Sequence, residues 1–172
     1  MMGFADHAMF TRRALVVGSG TAAATIAEDL ARVRDLVVSV ASDADTAGEQ
    51  DVVVSAAAPD RAVEVLRGVI EAKCSVADLR APLQDALALD ALAREKEQAV
   101  CVRCSELARL LGAAPSDERA AALVTAALAR RLLTGDFRPH WGLWSPERML
   151  SHPGLAHGIR EDLRERGLEL RA

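Results

Sequence analysis

The stretch that most restricts what this chain can become is 13–33, RALVVGSGTAAATIAEDLARV. A short apolar run ending in Val16 and Val17 meets Gly18, Ser19 and Gly20, and a helix-forming segment follows with apolar residues Ile26, Leu30 and Val33 about one turn apart. The order is strand, tight turn, helix. Gly18-x-Gly20-x-x-Ala23 has dinucleotide-binding spacing: the first glycine turns the chain, the second admits a pyrophosphate against the backbone, and the third small residue lets helix pack on strand. Amides at the helix start, Ser19 to Ala22 among them, would face the phosphates, aided by the helix dipole. Many α/β proteins use such a turn without a nucleotide, so the turn alone leaves both readings open.

The remaining chain repeats the alternation. Apolar runs 35–41 (DLVVSVA), 51–57 (DVVVSAA), 74–79 and 99–104 (AVCVRC) read as buried strands. Segments 62–72 and 82–97 carry helical apolar spacing, with Val65, Val69 and Ile70 in the first and Leu83, Leu87 and Leu92 in the second. Strands alternating with helices imply a parallel sheet with right-handed crossovers and helices on both faces. The fold class is α/β: a reduced, Rossmann-like doubly wound sheet with a mostly helical C-terminal extension. Residues 1–12 read as a flexible leader, 13–105 as the core and 106–172 as a tail packing back on it. Ligands in such sheets bind at the carboxyl ends of the strands, where this sequence places Gly18, Ser42, Ala58, Asp78 and Cys104. Ser42 stands at the ribose position with Asp43 one later, which leaves NAD and NADP both open. The candidate cofactor contacts are Gly18, Ser19, Gly20, Thr21, Ala22, Ala23, Ser42, Asp43, Ala57, Ala58 and Pro59.

Bulk properties narrow the partners. In 172 residues the net charge is -4 and the basic residues are scattered along the chain without a run, so nothing recruits nucleic acid. No apolar run is long enough for a bilayer and the first residues lack a signal-peptide layout, which together predict a cytoplasmic protein. Three cysteines without a framework spacing fit a reducing compartment. Cys101-x-x-Cys104 has half a zinc site's spacing, but on one strand those positions face opposite sides, and His152 and His157 are five apart, so no metal is expected.

The succession VVGSGTAAATIAEDLA, DVVVSAAAP, CSVADL and ALALDALAREKEQAVCVRC, with the tail TGDFRPHWGLWSPERMLSHPGLAHGIREDLRERGLELR, resembles the saccharopine dehydrogenase family from Arg13 to Arg171. The resemblance implies an NAD(P)-binding domain and reductive amination, that is, hydride transfer to an imine or carbonyl. It also implies two losses: the substrate and dimerisation domain that family members carry after the last strand, and a helix and strand between Ala41 and Asp51 that wall the adenine side.

Catalytic candidates are few. Asp78 ends a strand at the family's "VDL" position, and either orients a polar substrate or caps a turn. His140 lies with Trp141 and Trp144 in the densest aromatic cluster, as a plug over the core or as a substrate or partner contact. No tyrosine is present to donate a proton. Segment 120–133 is apolar on most faces, which suggests a helix buried against a partner. Segments 146–149 and 154–166 read as helices and 168–170 as a closing strand. Three readings follow: an NAD(P)-dependent oxidoreductase acting on a small molecule, with a homodimer mate or other protein completing the site; a truncated Rossmann protein doing non-redox small-molecule chemistry; and a binding module that docks a partner through 120–133.

Overall fold

The computed structural model describes residues 11–171. Six strands, β1 (Arg12–Val17), β2 (Leu36–Ala41), β3 (Val52–Ser55), β4 (Val76–Asp78), β5 (Ala99–Cys101) and β6 (Gly142–Trp144), form one sheet. Their order is β2-β1-β3-β4-β5-β6, and every pair is parallel. Eight helices cover it: α1 (Thr21–Leu30), α2 (Pro59–Glu71), α3 (Leu83–Leu87), α4 (Asp90–Glu95), α5 (Cys104–Leu110), α6 (Glu118–Thr134), α7 (Pro146–Ser151) and α8 (Leu155–Glu165). This is a Rossmann-like α/β fold, and the direction of the chain reverses between β1 and β3. Crossovers to either side of that point leave a crevice at the strands' carboxyl ends.

Alternation along the central strands sorts side chains into two layers. Ala14, Val16, Val52, Val54, Ala77 and Cys101 face α1, α5, α6 and α8, while Leu15, Val17, Val53, Val76 and Val100 face α2, α3 and α4. Both layers are dry, which is why these strands read as continuous apolar runs.

Several expectations need correction. β1 starts at Arg12, inside the span assigned to the leader, and the rest of that span, 1–10, lies outside the described residues. Segment 35–41 is not a buried strand: β2 is a sheet margin, with Val37 and Val40 52% and 55% exposed. Only a single 3-10 turn, Ala47–Glu49, joins β2 to β3, so no helix covers the face of Val37. The apolar segment 82–97 breaks at Leu89 into α3 and α4. A sixth strand, β6, occupies what reads as loop, and 168–170 forms no strand.

The apolar helix finds its partner within the chain. Asp117 caps α6 by accepting from Ala120 N–H at 2.9 Å, and the buried residues Ala122 to Ala129 pack on α1, α5, α8 and the sheet. α6 therefore offers no apolar face for a partner protein, which removes the docking-helix reading. At the C-terminal end of α1, Asp29 is 3% exposed and is held by Arg130 of α6 and Arg166 just after α8. A carboxylate buried this deeply is tolerated because both guanidiniums compensate its lost hydration.

Candidate functional site

The glycine turn is built as its chemistry requires. Gly18 has φ 135, and a Cβ there would stand 2.7 Å from the carbonyl oxygen of Ala56, so the position admits no side chain. Its N–H donates to Ala41 O at 2.9 Å and Ala56 N–H donates to Val17 O at 2.8 Å, which locks the turn between β2 and β3. Gly20 differs. It has φ 88, and a Cβ there would meet nothing within 4 Å. The turn is closed toward the protein and open toward solvent. Ala23 is buried against the core, as the third position of the motif demands.

An open cavity of about 330 Å³ lies over this turn. Gly18 and Ser19 form one wall, Ser42 another, and Ala57, Ala58 and Pro59 a third. α1 follows Gly20 and α2 follows Ala58, and neither start has a side-chain cap; at α2, Pro59 has no N–H and Arg61 N–H already donates to Ala58 O, which leaves Asp60 N–H as the donor of its first turn. Arg61, in the first turn of α2, and Arg80, just past β4, complete the lining. Two cations and two helix N-termini thus face one cleft in a chain of net charge -4, a setting whose local field favours an anion. The residue types give no separate signal for Arg61 and Arg80; only the convergence of two βα connections brings them together.

A second cavity of about 200 Å³ adjoins it across Arg80. Leu79, Ser105 and Ala108 line one side, and Asp117 and Glu118 the other. Ala22 opens into this space rather than into the first. Thr21 is exposed at the start of α1. Asp43 is exposed, accepts from Asp45 N–H at 3.1 Å, and lines a neighbouring hollow that also includes Arg61.

The two catalytic candidates lie elsewhere. Asp78 is 0% exposed and lines neither cavity. Its Oδ2 accepts from Ala81 N–H at 2.6 Å, so it closes the turn after β4. Asp78 Oδ1 and Ser55 Oγ, on residues paired in register, are buried without a well-formed hydrogen bond. Burial pushes the carboxyl up from 3.8 to about 6, partly offset by the Ala81 N–H. His140 is exposed and precedes β6, whose first residue pairs with Ala99, the first of β5. That places His140 and Trp141 at the amino edge of the sheet, opposite the cleft. Trp144 is buried under Arg148, whose guanidinium lies 3.9 Å from its ring centre.

Cys101 and Cys104 do not sit on one strand. Cys104 opens α5, and both thiols enter the same buried layer. Burial pushes the Cys74, Cys101 and Cys104 thiols up, so none is a ready thiolate. Among the described residues no cluster of three metal-ligating side chains occurs, and no helix is long and apolar enough to cross a membrane.

No family model and no curated protein matches this sequence. A solved structure is similar. Biliverdin reductase from Synechocystis, in complex with biliverdin and NADP+, superposes with a TM-score of 0.47 at 24% identity, covering 56% of this chain and 39% of that one. The chain thus spans well under half the length of that protein.

Proposed function

We propose that the cleft at the carboxyl ends of β1, β2 and β3 binds NAD or NADP, and that the chain is an NAD(P)-dependent oxidoreductase acting on a small molecule. The observation that carries this is the asymmetry of the turn: a Cβ on Gly18 would strike Ala56, whereas the space beside Gly20 is empty. The open side leaves room for a pyrophosphate against the backbone. The amides of α1 and α2, with Arg61 and Arg80, would neutralise the diphosphate, and Ser42 would meet the ribose.

The cofactor supplies the hydride. The protein's share is orientation, and Arg80 is placed for it, since it walls both cavities and would hold an anionic substrate group beside the cofactor site. The resemblance to saccharopine dehydrogenases supports an imine or carbonyl as the acceptor.

Between β2 and β3 only residues 42–51 intervene, so the adenine end lacks a wall, and this favours a second reading: a smaller phosphorylated ligand without redox chemistry. Calorimetric titration with NADH, NADPH and ADP separates the two. Micromolar binding of a reduced dinucleotide, lost in Gly20→Glu and weakened in Arg80→Ala, is the expected result. Binding of ADP as tightly as of either dinucleotide would favour the second reading, and no heat from any of the three would refute the cofactor assignment.

A further inference from the structure

Among the described residues nothing covers the outer edge of strand β2. In its parallel pairing with β1, Arg12 N–H donates to Asp35 O and Gly18 N–H to Ala41 O, so the peptide groups of Asp35, Val37, Ser39 and Ala41 turn inward. Those of Leu36, Val38 and Val40 turn outward, and among the described residues no side chain closes them. Among the described residues Val37 and Val40 are the most exposed valines, at 52% and 55%. Natural sheets blunt such a margin with charge, proline, a bulge or a covering helix, and β2 has none of these.

We infer that a second copy of this chain covers β2 by antiparallel pairing across a two-fold axis at Val38. Of the registers open to a two-fold, only this one engages all three outward residues: Val38 meets its own image, and Leu36 meets the partner's Val40. Each opposed pair then exchanges two hydrogen bonds. The charges agree with this occupant. β2 is preceded by Arg32, Arg34 and Asp35 and followed by Asp43 and Asp45, so antiparallel pairing sets an end of net positive charge in one copy on the acidic end of the other. The Arg34 side chain is 90% exposed and rests 3.6 Å from Asp35 of its own chain, a solvent-exposed contact weak enough to be exchanged.

Sedimentation of the full chain without nucleotide tests the pairing. A dimer of the 18.3 kDa chain at micromolar concentration is expected. Val38→Pro, which removes an outward N–H and spares the bonds to β1, should give a monomer with unchanged circular dichroism. Arg34→Glu, on an exposed side chain that cannot unfold the domain, should weaken the dimer at least tenfold, and the swap Arg34→Glu with Asp43→Arg should restore it. A wild-type monomer, a dimer indifferent to these changes, or a monomer that dimerises only when residues 1–10 are deleted would overturn the inference. A confirmed dimer that gives no heat with dinucleotide would refute the cofactor reading and leave the pairing intact.

Discussion

At β6 the sheet ends in three residues whose one outward peptide is closed by side chains, whereas at β2 it ends in six with three outward peptides bare. Leu143 N–H donates to Asp90 Oδ1 at 2.7 Å, and Leu143 O accepts from Arg148 at 2.7 Å. Two charged residues from α4 and α7 thus stand where a seventh strand would pair. The difference teaches where this fold stops: one margin is finished within the chain, and the other is left for something to cover.

Four substitutions would break or sharpen that contrast. Gly142 has φ 106, and a Cβ there would approach Asp90 Oδ1 to 2.6 Å, so Gly142→Ala should strain the backbone and expel the cap together. A loss of roughly 2–4 kcal/mol in urea denaturation is expected. Asp90→Ala removes the cap alone and should cost about 1–3 kcal/mol. Burial raises the Asp90 carboxyl, but the Leu143 N–H and Arg94 outweigh it and hold it below its ordinary value. Its contribution is therefore complete above the ordinary carboxylate value and is lost as pH falls through the lower folded one, so the gap between Asp90→Ala and wild type should begin to narrow only below about pH 4.

Asp78, in the centre of the sheet, should behave oppositely. Its folded pKa of about 6 exceeds the ordinary 3.8, so the folded chain holds a proton that the unfolded chain releases across that interval. The stability this affinity gives is complete below the lower value and is lost as pH rises through the upper one. Asp78→Asn should accordingly gain on the order of 1–2 kcal/mol at pH 8 and almost nothing at pH 4. Smallest of all, Val38→Pro should change the stability of a single chain by about 1 kcal/mol, since no bond within the chain uses the outward N–H and only the partly buried Val38 side chain loses packing. A large loss in that variant would show that β2 is held by contacts the two-margin contrast leaves out.

What could be read from the sequence follows the length and regularity of each signal. The glycine turn, the β-branched runs and the shortening between Ala41 and Asp51 are local patterns, and local chemistry sets them. β6 was not legible because Gly142–Trp144 is only three residues, with a glycine and a tryptophan in place of a β-branched run. α6 was legible as a buried helix, but what buries it was not: Ile159 and Leu163 of α8 arrive from a segment whose strong polar face reads as surface. For the candidate site, the sequence located Gly18, Gly20, Ser42 and Pro59 at one edge. It could not show that Asp78 is turned into the protein, nor that His140 lies at the far edge, because both depend on which end of a strand a loop leaves. Arg61 and Arg80 carried no pattern at all; a lone arginine after a strand looks the same in a site and on a surface.

The clamp on Asp29 has a consequence for synthesis. Arg166 lies 137 residues after Asp29, so the helix bearing the glycine turn leaves the ribosome long before the cation that holds its far end. Until then Asp29 is an acid without its full set of counterions at the seam between α1 and α6, and α1 has reason to stay hydrated rather than dock. The glycine turn itself closes early, on β2 and β3, whereas the far end of the helix it starts waits for a cation made much later.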